Sequence, residues 1–223
     1  MTTKSFSAGL PAVECAGETV ALHNYYEPRK FLRRLQAGRL VDVFGQRSML
    51  VSEDFIVGFQ FALEEEVGDA AADIMYRCGF EWGRRDIARF AARFPEEFGK
   101  SLTDARYKFM LETWWWPLQV TGWGAWRPDL SHRKEGLIFV DLFDSAVARS
   151  IGNIGKVVCH YYAGLFAAAF SHLAKRELSG IEIQCYSMGE EHCKFVIGSS
   201  KRINAAQFWV QEGAKADEVI ARL

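Results

Sequence analysis

No stretch of the 223 residues is apolar for long enough to cross a bilayer. The longest such run, 157–170, is interrupted by Cys159, His160 and the pair Tyr161-Tyr162, whereas a span needs about 20 apolar residues. Residues 1–9 are small and polar, with neither the apolar stretch nor the processing site of an export signal. The expectation is therefore a cytoplasmic chain without a transmembrane segment. An excess of charge is missing too: 27 Lys and Arg against 28 Asp and Glu leave a net −1. With its basic residues scattered or in short pairs such as Arg33-Arg34, the chain offers no footprint for nucleic acid. It also lacks a Gly-rich phosphate loop, a dinucleotide fingerprint and a nucleophile elbow, so an enzyme is not the first expectation. Five cysteines, an odd number without an export signal, argue for thiols or metal ligands rather than a disulfide framework.

What is present suits one α/β domain. A chain of this length buries roughly 70% of its unfolded surface and needs no staples. Gly9, Pro11 and Gly17 break residues 1–18 into a flexible arm, leaving 19–223 as the single domain. A short basic helix is predicted over 28–35, then a β-hairpin pairing 39–43 with 47–51. Ser52 is placed to cap a helix ending at Gly68. Apolar residues at three-to-four spacing predict helices over 69–94 and 103–115, stopped by Pro95 and Pro117. Strands are predicted over 119–126 and 137–143, a helix over 155–176, a hairpin pairing 181–186 with 193–197, and a helix or helix pair after Asn204, split at Gly213.

Cys159, Glu182, Cys185 and Cys193 form the sharpest constellation. With the hairpin turn centred on Gly189, Cys185 and Cys193 become cross-strand partners with Cβ atoms roughly 5 Å apart, a suitable bite for a tetrahedral zinc. Cys159, in the first turn of the preceding helix, lies on the side that packs on the hairpin. Glu182 poses a difficulty. Three residues from Cys185 in a flat strand, it points to the opposite face, so a bulge between them is required. Four anionic ligands would need compensation from Lys156, Lys194 or backbone N–H groups. Four protein ligands leave no open position, which makes the metal structural and its subdomain about 155–200. On spacing alone two alternatives stay open: buried free thiols, or a Cys185–Cys193 disulfide with Cys159 in the core.

The run from Gly180 through Glu182, Cys185, Gly189 and Cys193 to Phe195, with Cys159 upstream, resembles the 4-vinyl reductase domain. That family includes the sensor domains of phenol-responsive activators, in which one upstream Cys, then Glu, Cys and Cys hold zinc in this order. The resemblance implies an α/β fold similar to the haem-nitric-oxide-binding domain, with helices packed on an antiparallel sheet, a zinc-pinned C-terminal hairpin and a pocket between helices and sheet. It is sharp over 159–195 and extends back, with few motifs, to about Arg39. The C-terminal stretch 203–223 is similar to stand-alone cyanobacterial members associated with photosystem assembly. Because the sensors dimerise, a homodimer is implied. They continue into ATPase and DNA-binding domains, so this chain is not expected to be such an activator. Their phenol-holding His and Trp cannot both be placed here.

Trp114, Trp116, Trp123, Trp126, Phe139, Phe143, His160, Tyr161 and Tyr162 lie in segments that would wall the family's pocket. Neighbours on a helix are about 100° apart, so Trp114, Trp115 and Trp116 are not all expected to face one core; at least one should line a cavity, an interface or a membrane surface. The leading expectation is a zinc-stabilised binder of a hydrophobic ring compound. A tetrapyrrole such as a chlorophyll precursor is favoured, with a carrier or photosystem-assembly role at the thylakoid or inner-membrane surface and a pigment-pathway or photosystem protein as partner. Two rivals stand beside it: a divinyl chlorophyllide reductase or its accessory subunit, and a factor that binds only protein.

Overall fold

The helix at the centre of the molecule has no polar face along most of its length. Residues 162–170 of α6 (His160–Ala174) are buried without interruption, as befits a helix that is apolar all round and enclosed by other elements. The computed structural model describes residues 13–15, 18–20 and 28–223, so most of the expected arm at 1–18 lies outside the described residues. In chain order the elements are β1 (Val13–Cys15), β2 (Glu18–Val20), α1 (Pro28–Phe31), β3 (Leu32–Arg34), β4 (Leu40–Asp42), β5 (Arg47–Ser48), α2 (Glu53–Val67), α3 (Ala70–Phe98), α4 (Tyr107–Val120), β6 (Ala125–Asp129), β7 (Ile138–Phe143), α5 (Ala146–Ile151), α6, β8 (Ser179–Gln184), β9 (Cys193–Gly198), α7 (Ser200–Gln211) and α8 (Ala216–Arg222). Short 3₁₀ turns join several of them. Among the described residues no helix is long and apolar enough to cross a membrane.

The main sheet runs β6-β7-β9-β8, antiparallel throughout. Alternation along β9 divides the core in two. Cys193, Phe195 and Ile197 face inward to α3, α4 and α6, while Val196 joins Phe139, Ile183, Ile203, Ala206 and Val219 under α7 and α8. The inner layer is dominated by aromatics: Trp115 stacks on Trp126 with centroids 4.9 Å apart, and Trp126 stacks on Phe166 at 5.8 Å. β3, β4 and β5 form a separate three-stranded sheet. The α1 segment joins it to the body by setting Phe31 edge-on against Trp116, 5.2 Å away.

α3 and α6 approach each other at glycines. A Cβ on Gly79 or Gly83 of α3 would press into the α6 backbone at Tyr161 or Leu165, and one on Gly164 would press into α3 at Tyr76 and Phe80. Two helices can draw this near only where no side chain intervenes.

Several predicted boundaries move. Both prolines lie inside helices, Pro95 in α3 and Pro117 in α4. Each forfeits one backbone hydrogen bond, but Phe94 and Phe98 anchor the last turns of α3, and Trp114, Trp115, Trp116 and Leu118 anchor α4. The short basic helix stops at Phe31 and becomes β3. The strand predicted over 119–126 begins only at Ala125, and α6 starts at His160, with Cys159 as its N-cap residue rather than inside its first turn. All three consecutive tryptophans are buried, against the expectation for a helix packed on one side. α4 is enclosed on more than one flank: Trp114 and Trp115 meet the sheet and α6 core, while Trp116 is covered by Phe31.

Candidate metal centre and ligand cavity

Cys159, Glu182, Cys185 and Cys193 converge. All four are buried, and one donor atom from each lies within 4.8 Å of the other three. Cys193 opens β9, Cys185 follows β8 at the start of a 3₁₀ turn (Tyr186–Met188), and Cys159 caps α6. The Cys193 sulfur is 3.7 Å from that of Cys159 and 3.7 Å from that of Cys185. A disulfide holds its sulfurs about 2.05 Å apart, and all three are free thiols.

The irregularity that Glu182 requires is present. Glu182 pairs with Phe195 but Gln184 with Lys194, so the β8–β9 register shifts between Glu182 and Gln184. One residue too many on β8 places Ile183 under α7 and α8 and brings Cys185 to the same face as Glu182.

Glu182 also completes the start of α6. Its Oε2 accepts from the N–H groups of Val158 at 3.1 Å and Cys159 at 2.7 Å, where a helix has unpaired donors and a favourable dipole for a carboxylate. The other oxygen, Oε1, is buried without any hydrogen-bond partner. Such an atom costs stability unless something cationic or protic meets it. The sulfurs receive lateral support: Ser145 Oγ lies 3.2 Å from Cys159 Sγ and Ser187 Oγ 3.0 Å from Cys185 Sγ. Lys156 and Lys194 are committed elsewhere, to Glu64 and Asp141 respectively. Compensation therefore comes from backbone N–H and hydroxyl groups.

Burial, reinforced by the neighbouring thiols, pushes the Cys159 thiol well up, and burial beside Cys185 does the same to the Glu182 carboxyl. Cys185 shifts the opposite way, because Cys159 and Cys193 hydrogen-bond to its thiolate. Ligation requires these groups to give up their protons. A divalent cation would take their place. The arrangement can hold a metal ion, and with four protein donors it has no vacant position for chemistry.

The nine residues expected to wall one pocket are spread over several parts of the structure. Trp114, Trp126 and Tyr162 are packed into the inner core, and Phe139 lies across the sheet under α7 and α8. Trp116 sits against Phe31. Phe143, half-buried, stacks on His192. Trp123 and Tyr161, also half-buried, stack with each other and with Trp82. His160 is half-buried, and burial lowers its pKa.

A cavity of about 200 Å³ lies elsewhere, where the first turn of α4 meets the end of α6 and the β6–β7 connection. Tyr107, Leu130, Arg133, Gly136, Ile138, Leu173, Ala174, Arg176 and Leu178 line it. None of the nine expected residues is among them. Its walls come from element ends and a loop, so no hydrophobic period marks them. The one sequence signal is Gly136, at φ 81°, closing the polar connection before β7.

Residues 138–199 match the family model of the 4-vinyl reductase domain. An uncharacterized protein of Methanocaldococcus jannaschii is 24% identical over 126 residues, 56% of this chain and 62% of the relative. This chain thus spans about three fifths of the length of that curated relative. Among solved structures, the phenol-responsive sensory domain of the transcription activator PoxR, crystallised with phenol, matches with a TM-score of 0.61 at 20% identity, over 77% of this chain and 86% of that one. A vinyl-4-reductase family protein from Methanocaldococcus jannaschii matches with a TM-score of 0.44 at 14% identity, over 67% and 82% of the two chains. The PoxR likeness shows a shared α/β fold.

Proposed function

We propose that this protein, which carries a 4-vinyl reductase domain, is a zinc-stabilised binder of a hydrophobic ring compound. The observation that carries the reading is the cavity, apolar on several sides and lined by a few polar groups, as ligand sites ordinarily are. Its setting supports the reading, since the fold is shared with a sensory domain crystallised with phenol. An apolar cavity of about 150 Å³ admits benzene. About 200 Å³ therefore suits one ring with a substituent.

The choice of zinc rests on donor chemistry. Three thiols and a carboxylate are the donors of a closed structural zinc site, and bonds of about 2.3 Å at tetrahedral angles set sulfurs about 3.8 Å apart. The 3.7 Å separations from Cys193 agree. Metal analysis of the purified chain tests it, with one equivalent expected and loss on substituting Cys185 or Cys193.

A tetrapyrrole is several times larger than one ring and would have to lie outside the cavity. The half-buried stack of Trp82, Trp123 and Tyr161 favours this second reading, because a flat macrocycle can lie against such rings. The protein would then be a pigment carrier or photosystem-assembly factor, a homodimer peripheral to the thylakoid or inner membrane. Titration with phenol and with a chlorophyll precursor, followed by calorimetry and absorption, separates the two. Binding of the small ring alone supports the first reading, and a shifted pigment spectrum supports the second. Binding of neither these nor any other small ring removes both and leaves a protein-binding factor. Turnover of a divinyl precursor with added reductant would make the chain an enzyme.

A further inference from the structure

The cavity is charged at its edge in a way that neutral rings do not need. Arg133 and Arg176 both line it and no acidic residue does. Among the described residues neither arginine forms an ion pair, although acids stand nearby in sequence. Asp129 accepts from the N–H of Ser131 at 2.8 Å, and Glu135 pairs with His132 at 3.0 Å. The two guanidinium groups come from different elements, the β6–β7 connection and the segment after α6. Gly136 lines the cavity beside Arg176, whose Nη2 lies 3.7 Å from where a Cβ on Gly136 would stand. Tyr107 adds a hydroxyl that burial holds in its neutral, donating form, against the pull of Arg133.

We propose that the cavity takes a ring compound bearing one carboxylate. The ring packs on Leu130, Ile138 and Leu173, and the carboxylate is shared by Arg133 and Arg176. This deepens the function proposed above and rests on it. A guanidinium presents paired N–H donors that match a carboxylate, and such charge-assisted bonds outlast competition from water better than neutral ones. With two forks and one hydroxyl at a single small site, discrimination comes from the anion while the apolar floor supplies contact area.

The test uses the full chain with benzoate and its uncharged isostere benzamide, followed by calorimetry and thermal shift. Wild type is expected to bind benzoate at least tenfold more tightly than benzamide, with benzoate affinity falling as salt rises. Both arginines are exposed, so the double variant Arg133→Gln/Arg176→Gln keeps the fold. It is expected to lose that preference while binding benzamide as before. Equal binding of the two ligands by wild type, or an unchanged preference in the double variant, overturns the anionic assignment and leaves the ring-binding reading standing. If neither ligand, nor phenol, binds wild type, the ring-binding reading falls with it.

Discussion

The carbonyl of Tyr161 on α6 occupies the space a Cβ on Gly79 of α3 would need: that atom would stand 2.7 Å from the carbonyl carbon and nearer still to the oxygen. The obstacle is backbone, so no rotamer change relieves it. The long helix α3 and the enclosed helix α6 meet at this point, and Gly164 repeats the arrangement from the opposite side.

Gly79→Ala is therefore expected to destabilise the protein by about 2 kcal/mol or more, overpacking outweighing the roughly 1 kcal/mol that alanine's helix propensity would add. Gly58, in the exposed part of α2 with nothing within 4 Å of an added methyl, supplies the contrast. Gly58→Ala should raise stability by about 0.5–1 kcal/mol. Urea denaturation of the two variants beside wild type checks both signs.

On the metal-site proposal, Cys193→Ser should abolish metal binding and uncouple α6 from the β8–β9 hairpin. Loss of one partner among buried charges costs about 4 kcal/mol, which for a chain of this size lowers Tm by roughly 8–16 °C. Elemental analysis with calorimetry measures both quantities. Full metal occupancy in the variant would contradict the ligand assignment.

Phe31 covers Trp116 at 5.2 Å, edge to face. Phe31→Ala should cost about 3–5 kcal/mol and shift tryptophan emission to the red as Trp116 meets water. An unchanged spectrum would mean that Trp116 is enclosed without Phe31.

Asp141 is met by two cations and an imidazole, with Arg127 Nη2 at 2.9 Å, His192 Nε2 at 3.3 Å and Lys194 bonded to the same carboxylate. Burial alone would raise its pKa, but the bonds from His192, Lys194 and Arg127 prevail and hold it well below the usual carboxylate range. A depressed folded-state pKa stabilises above the unfolded value of about 3.9, and that contribution is lost as pH falls further. Asp141→Asn should thus cost about 3 kcal/mol at pH 7, with the difference from wild type narrowing below pH 4. Thermal melts from pH 7 to pH 2.5 would reveal it.

Some of this architecture could be read from residues alone because it follows from short-range geometry. Glu182 and Cys185, three positions apart, cannot share a strand face without a bulge, and the register shift is there. Ser52 before two acids marks the start of α2, and Gly68 marks its end. What escaped depended on remote partners. Pro95 and Pro117 read as helix stops because the enclosing aromatics that hold their helices together are far away in sequence. The burial of Trp116 needs Phe31, 85 positions earlier (116 − 31). The cavity draws on Tyr107, Arg133 and Leu178, three segments with no common spacing.

The extra residue in β8 leaves the hairpin two tidier alternatives. Extending the Ile181↔Val196 alignment toward the turn would make the ladder regular but carry Cys185 to the outer face. Extending the Gln184↔Lys194 alignment the other way would expel Glu182 instead. Each slipped form keeps its backbone pairing and surrenders one donor. Only the bulged alignment lets all four donors meet a cation, so an ion bound there would act as a referee between competing strand pairings during folding, and adding metal before the hairpin closes should speed arrival at the native one.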